Sequence, residues 1–228
     1  MKRIFILSQL LFLTCSSFFA QSTFSVELQK NSSLTINGTT NILPFKLTQS
    51  GDKLTKRNFI ITATQNQNRI ILNQNQQSIF VKRFNSENKM ALRDFLKLVK
   101  ADNYPNFHIQ LNYFEILPNV KTTDIAKANV SVNITITGKT KQINIPITSH
   151  QDGDLYTLNG NEKINIKDFG LSAPVVMMGL IRVNDWINID FHIVCKITPY
   201  NPSQATNTAY LQNSYLANTP NKNNIKAN

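Results

Sequence analysis

Few side chains in this 228-residue chain could serve as metal ligands or proton carriers. The three histidines, His108, His150 and His192, lie far apart along the sequence. A metal site needs several Cys, His or acidic ligands at short spacing, or ligands that converge from different elements. Two of the histidines alternate with apolar neighbours, as polar residues do on the outer face of a strand. The pattern favours surface histidines and predicts neither a metal site nor a cofactor.

The sequence offers no well-marked nucleophile. Cys195 shares a strand face with Phe191 and Ile193, so it is predicted to be a small buried hydrophobic residue rather than a reactive thiolate. A Ser-His-Asp set stays open at this point, and the sequence contains no G-x-S-x-G nucleophile elbow that would locate its serine. These residues favour a protein without nucleophilic catalysis.

Two other short patterns resemble catalytic motifs. Residues 168–170 spell the Asp-Phe-Gly tripeptide of protein kinases, but no glycine-rich phosphate loop or catalytic loop accompanies it. His150, Asp152 and Asp154 form the one short acidic-histidine grouping, and we expect them to lie in a loop. An enzymatic role would require a polar cluster that converges inside the fold. The chain is therefore predicted not to be an enzyme.

Composition narrows the class further. With 16% charged residues, 41% hydrophobic residues and 7 glycines, the chain is neither collagen, a coiled coil nor a polytopic membrane protein. The balance of 24 Lys and Arg against 13 Asp and Glu gives a net charge of +11. This charge is spread along the chain, whereas nucleic-acid binders concentrate it beside stacking aromatics. We expect no nucleic-acid partner, and weak attraction to anionic surfaces such as lipid headgroups, with transient membrane contact.

The first 20 residues have the pattern of a secretory signal. Lys2 and Arg3 precede an apolar stretch that is too short to span a bilayer, and small residues follow up to Ala20. We predict cleavage after Ala20, with lipid attachment at Cys15 as the alternative. The mature protein would then be periplasmic or secreted, and cleavage after Ala20 would leave it one thiol and no internal disulfide.

The elements that position these residues are mostly strands. Apolar and polar residues alternate from Thr23 to about Thr198, which indicates half-buried β-strands. About nine such runs favour an all-β sandwich or barrel. The clearest runs have their apolar residues at every second position: Val130, Val132, Ile134 and Ile136; Ile143, Ile145 and Ile147; and Ile187, Ile189, Phe191, Ile193, Cys195 and Ile197.

Three segments depart from the alternation. Residues 90–98 predict a short amphipathic helix, with Met90, Ala91, Leu92, Phe95 and Leu96 on one side and Arg93, Asp94 and Lys97 on the other. Residues 171–184 are apolar but broken by Pro and Gly, and predict a loop or helix over one end of the sheet. Residues 201–228 are rich in Asn, Ser and Thr and predict a disordered tail, so the folded domain should span residues 21–200.

The order of these segments resembles the YceI-like family of bacterial periplasmic proteins. The resemblance rests on SLTINGTTN at residues 33–41, the helix at residues 90–96 followed by YPNF at 104–107, VNITITGKTK at 132–141, and INIKDFGL at 164–171 before a last strand. It implies a lipocalin-like antiparallel barrel of about eight strands and no catalytic residues. It also implies a lumen that holds a polyisoprenoid or other long-chain lipid, for sequestration or transport.

Strand phase alone selects the residues that would line such a lumen, since alternate side chains point to opposite faces. The helix at residues 90–98 and the segment at residues 175–181 are candidates for a gate at its opening. The alternative is a filled barrel or sandwich that serves as a structural or protein-interaction module of the cell envelope. The sequence leaves the oligomeric state open, a homodimer included. The predicted lumen residues are Phe107, Ile109, Leu111, Val132, Ile134, Ile136, Ile145, Ile189, Phe191 and Ile193.

Overall fold

A computed structural model describes residues 21–53, 58–73, 75–117, 125–176 and 180–202. The predicted signal segment, residues 1–20, and the predicted tail beyond residue 202 lie outside the described residues. The described part consists mostly of strands, with one α-helix and three short 3-10 turns.

The strands follow the alternating runs of the sequence, and most extend beyond them. The helix α1 spans Lys89–Leu98. The strands are β1 (Gln21–Leu28), β2 (Ser33–Thr39), β3 (Pro44–Ser50), β4 (Asn58–Asn66), β5 (Arg69–Asn73), β6 (Gln77–Phe80), β7 (Asn106–Ile116), β8 (Ile125–Ile136), β9 (Lys139–Asp152), β10 (Leu155–Asn165), β11 (Val175–Val176), β12 (Ile181–Arg182) and β13 (Trp186–Pro199).

Eight strands close into an antiparallel barrel, in the order β1, β4, β5, β7, β8, β9, β10, β13 and back to β1. Closure depends on the length of β13. Its second half pairs with β1, from Cys195 to Pro199, while its first half pairs with β2, from Asn188 to His192. The hairpin β2–β3 therefore continues the wall at one end, and β6 pairs with the first half of β7. The predicted eight-strand barrel with one short helix is confirmed.

The helix α1 lies against this extended wall. Asn88 caps its first turn, because its side-chain oxygen accepts a hydrogen bond from the Ala91 backbone N–H at 3.0 Å. Phe95 then packs edge-on against Phe84 and Phe107, with ring centroids 5.5 and 6.2 Å away. The helix predicted at residues 90–98 is thus found at Lys89–Leu98 and is anchored by an aromatic cluster.

One face assignment within the helix was wrong. The sequence pattern placed Asp94 with Arg93 and Lys97 on the solvent side, but its side chain is only 17% exposed and faces the barrel interior. The reason is geometric, since residues 91, 94, 95 and 98 follow the i, i+3, i+4, i+7 spacing of a single helix face.

The ladder between β9 and β10 covers only part of each strand. These strands pair from Ile147 opposite Gly160 to Asp152 opposite Leu155. The first half of β9 pairs with β8 alone, and Pro146 lies in that half, directly before the paired region. Proline cannot donate a ladder hydrogen bond, so it suits a strand segment with one neighbour.

The structure also locates two segments that the sequence pattern predicts as loops or irregular chain. His150 and Asp152 belong to the last residues of β9 rather than to a loop, and Asp154 lies in the turn that follows, because the β8–β9 hairpin continues further than its hydrophobic pattern. The segment from 171 to 184 contains the small β11–β12 hairpin, with residues 177–179 outside the described residues.

Across the described ranges, the structure contains no helix with the length and hydrophobicity needed to cross a membrane.

Candidate functional site

The barrel encloses a cavity of about 470 Å³. Its wall is almost entirely apolar, because every strand of the ring presents alternate residues to the interior. On β13 these are the odd-numbered residues from Ile187 to Ile197, which all line the cavity. At about 3.3 Å per residue, this stripe extends for roughly 33 Å along the strand. The cavity wall is therefore long in the direction of the strand.

All the residues that strand phase selected lie on the cavity wall. They come from β7, β8, β9 and β13, which are neighbours in the ring or separated only by β10. Their role in ligand binding remains a prediction, and the structure gives their location: Phe107, Ile109, Leu111, Val132, Ile134, Ile136, Ile145, Ile189, Phe191 and Ile193 all face the lumen.

Sequence reasoning missed the rest of the wall. The same alternation is present on the shorter strands and could have identified these residues, and the i, i+4, i+7 spacing could have identified the helix residues. The missed lining residues include Val26 and Leu28 of β1, Leu34 and Ile36 of β2, Phe45 and Leu47 of β3, Phe59 and Ile61 of β4, Leu72 of β5, and Ala91, Phe95 and Leu98 of α1.

Two phenylalanine rings of the wall lie over glycines on neighbouring strands. Phe191 is opposite Gly160 in the β10–β13 ladder, and a Cβ added to Gly160 would lie 2.2 Å from the Phe191 Cζ atom. Phe45 covers Gly38 in the β2–β3 ladder in the same way, with 2.1 Å to its Cζ atom. Each ring occupies the space of the missing side chain, so these glycines set the position of two bulky lining residues.

The cavity opens at one end of the barrel, called here the mouth. Ile42 and Leu43, in the turn between β2 and β3, line the cavity and are also 59% and 67% exposed. Met90 at the start of α1 is likewise both lining and exposed. At the opposite end, Ile116 and Leu155 are exposed without lining the cavity. A ligand would therefore enter past the β2–β3 turn and α1.

Polar side chains on the wall are few, and several lie beside the mouth. Asn88, the cap of α1, and Asp94 within the helix both reach the cavity, and Asn184 reaches it from the residues before β13. The Asp94 carboxylate lies 3.6 Å from the Arg93 Nε atom. An amphipathic molecule with its chain in the lumen could place a polar headgroup among these groups.

The titratable side chains that the described structure places on the cavity wall are Asp94 and Cys195. Burial in the wall raises the pKa of the Cys195 thiol from 9.0 to about 11, so it is mostly protonated at neutral pH. In the described part of the chain, no three His, Cys, Asp or Glu residues come close enough to hold a metal ion. The chemistry that this wall offers is the burial of apolar surface.

Solved structures of two other proteins have a similar fold. The chain is similar to BcnA of Burkholderia cenocepacia, with 20% identity and a TM-score of 0.51, over 72% of this chain and 95% of the other. It is also similar to a polyisoprenoid-binding domain from Saccharophagus degradans implicated in plant cell wall breakdown. That match has 10% identity and a TM-score of 0.53, over 76% of this chain and 98% of the other.

Comparison with curated proteins found no match. The family model of the YceI-like domain, in contrast, matches residues 69–195, which is more than half of the chain and runs from β5 into β13. The match includes most of the barrel ring and the helix α1. The chain therefore belongs to the YceI-like domain family.

Proposed function

We propose that this protein binds a single long-chain lipid of the polyisoprenoid class inside the barrel and sequesters or transports it. The observation that carries the proposal is the continuous apolar cavity of about 470 Å³ with an opening at the mouth. Small-molecule sites in proteins are typically about 300–1,000 Å³, mostly apolar, with a few polar groups that fix orientation.

The shape of the cavity favours an extended chain over a compact ligand. Its lining residues run from Ile197, near the end of β13, to Leu43 at the mouth. Branched and aromatic side chains line this path, and their dispersion contacts with a hydrocarbon chain require no hydrogen-bonding groups on the ligand. The domain from Saccharophagus degradans with the same fold is a polyisoprenoid-binding domain, which supports this choice among long-chain lipids.

Burial alone would supply the affinity. Each Å² of apolar surface removed from water contributes about 25 cal/mol, so a ligand that buries several hundred Å² needs no ionic contact. An isoprenoid headgroup would remain at the mouth beside Asn88 and Asp94, where water is close. No chemical step on the lipid is part of the proposal.

The proposed setting is an aqueous compartment outside the cytoplasm. The signal-like pattern of residues 1–20 motivates export, to the periplasm or beyond the cell. A lipid with a long apolar chain cannot cross such a compartment unassisted, because its chain would be exposed to water. Mass determination of the N-terminus of the purified protein tests this step, and an intact residue 1 without lipid on Cys15 contradicts it.

The central experiment is native mass spectrometry of the protein purified from the cells that express it, followed by organic extraction and lipid analysis. We expect one bound species of polyisoprenoid mass per barrel, released by solvent. A folded, empty barrel that takes up no added polyprenyl lipid would contradict the proposal. That outcome would favour the alternative role, a structural or protein-interaction module of the cell envelope.

A matched pair of variants ties the lipid to the lumen. Ile189→Phe adds volume to a residue on the cavity wall, whereas Ile60→Phe makes the same change at an exposed residue of β4 that does not line the cavity. We expect the first variant to lose most of its extractable lipid and the second to keep it, with equal circular dichroism spectra for both. Equal lipid content in the two variants would show that the lipid is bound elsewhere.

A further inference from the structure

A set of exposed apolar side chains surrounds the mouth. These side chains belong to separate segments: the β2–β3 turn, the start of α1, the β11–β12 hairpin and the first residue of β13. We define them as the rim patch, which consists of Ile42, Leu43, Met90, Val175, Leu180 and Trp186. Soluble monomers seldom expose apolar side chains in such a group without a partner.

Hydrogen bonds hold several of these segments together. The Asn41 side chain donates to the Leu180 carbonyl oxygen at 2.9 Å and accepts from the Arg182 backbone N–H at 2.9 Å. The Asn184 backbone N–H donates to the Thr39 carbonyl oxygen, also at 2.9 Å, and the Asn184 side chain accepts from the Trp186 backbone N–H. The β2–β3 turn, the β11–β12 hairpin and the start of β13 therefore form one connected surface.

Cationic side chains accompany the rim patch. Lys46 follows the β2–β3 turn, Lys89 precedes Met90, and Arg182 lies between Leu180 and Trp186, and all three are exposed. Among the described residues, the structure pairs none of these three with a carboxylate. Two other cations near the mouth are neutralised locally, since Lys167 pairs with Asp185 and Arg93 pairs with Asp94. Two exposed acidic residues lie close to these segments, Glu87 just before α1 and Asp168 in the 3-10 turn that follows β10.

We propose that the rim patch docks on a lipid bilayer with anionic headgroups, so that the mouth of the cavity faces the membrane. Apolar side chains such as Leu43 and Leu180 would enter the boundary between headgroups and acyl chains. Lys46, Lys89 and Arg182 would meet the anionic phosphates, and each cation near an anionic surface strengthens binding. Trp186 suits this depth, because tryptophan favours the membrane–water boundary.

The proposal rests on the proposed function, because docking in this orientation lets a lipid pass between bilayer and lumen without crossing water. The bilayer surface would then be the donor or acceptor of the lipid, and the residues of the rim patch would touch it. The exposed residues of the opposite end, such as Leu155, take no part.

The single tryptophan of the chain makes the test specific, since Trp186 belongs to the rim patch. The purified protein is titrated with vesicles of phosphatidylglycerol and phosphatidylethanolamine, and then with vesicles of phosphatidylcholine alone. We expect a blue shift of tryptophan emission and co-sedimentation with the anionic vesicles, both reduced by salt. Unchanged emission with protein left in the supernatant would overturn the proposal.

Variants distinguish binding through the rim patch from nonspecific adsorption of the protein to vesicles. Leu43→Asp, Leu180→Asp and Arg182→Glu should each weaken vesicle binding roughly tenfold, which corresponds to the loss of one apolar anchor or the reversal of one charge. Leu155→Asp is the matched control, a partly exposed leucine at the opposite end, and should bind as the parent does. Equal weakening by Leu155→Asp would refute the assignment of the docking face.

Two further measurements are needed. One asks whether a second copy of the chain covers the rim patch, and the other asks whether the lumen holds a lipid. Sedimentation of the protein without vesicles reports its oligomeric state, and a dimer that Leu43→Asp dissociates would overturn the membrane proposal. Organic extraction of every variant reports the lumen separately. A lipid-filled barrel that does not bind vesicles would contradict membrane docking but not the proposed function. An empty barrel that binds vesicles would contradict the proposed function but not membrane docking.

Discussion

The contact between Phe191 and Gly160 sets the inner surface of the barrel at one well-defined point. The Phe191 ring occupies the space that a side chain at residue 160 would need, only 2.2 Å from an ideal Cβ position. Gly160 lies in the β10–β13 ladder, and its φ is not in the left-handed region. Packing rather than backbone conformation therefore accounts for glycine at this position.

Gly160→Ala should lower the free energy of unfolding by about 1–3 kcal/mol, the usual cost of overpacking an interior. The added methyl group forces the Phe191 ring into the lumen, so the variant should also bind less lipid. Urea denaturation and lipid extraction measure the two effects.

A double variant provides the control for this prediction. If the ring is the obstacle, Phe191→Leu should remove most of the cost of Gly160→Ala, giving a coupling energy between the two sites. Additive effects of the two substitutions would mean that the methyl group is accommodated elsewhere in the barrel.

At the scale of elements, strand alternation predicted much of the site because one face of each strand is buried. On β13, the alternation of apolar and polar residues is enough to place Ile189, Phe191 and Ile193 on the interior face. This alternation holds along the whole strand. On β7 the phase changes, because the register with β8 shifts between Leu111 and Tyr113 and brings Phe114 to the lumen. A bulge of this kind depends on the neighbouring strand and leaves no clear local signal.

Other features of the site depend on contacts between residues far apart in the sequence. The division of β13 between β1 and β2 closes the barrel, and no local pattern encodes which half pairs with which strand. The mouth likewise combines the β2–β3 turn with α1 and the β11–β12 hairpin. Sequence periodicity reveals a buried face, whereas the location of the opening follows only from the closed topology.

The helix α1 beside the mouth begins at a single capping residue, which gives a prediction for this element. Asn88→Ala removes the hydrogen bond that its side-chain oxygen accepts from the Ala91 N–H, and should lower the free energy of unfolding by about 1 kcal/mol. Asn88→Ser is the matched control, because serine also caps helices and should retain most of the stability. Equal losses for the two variants, measured by thermal unfolding, would indicate that Asn88 acts through the cavity rather than through the cap.

For the molecule as a whole, an apolar lumen links stability to occupancy. Side chains that line an unfilled cavity lack partner atoms on one side and lose the dispersion contacts that a packed core would give them. A lipid that fills about 470 Å³ would restore those contacts in the folded state and would have no equivalent site in the unfolded chain. The folded barrel should therefore be more stable with its ligand than without it.

Gentle removal of lipid should lower the unfolding temperature, and re-addition of polyprenyl lipid should restore it. At a free lipid concentration of 100 times the dissociation constant, linkage gives about 2.7 kcal/mol of added stability. Ile189→Phe should show a smaller difference between the lipid-free and lipid-bound forms, because the ring replaces part of the ligand volume, while Ile60→Phe should keep the full difference. Calorimetry of the three proteins checks this order. A parent protein whose unfolding temperature is insensitive to lipid would mean that the wall packs against itself in solution, and that the barrel is stable without a ligand.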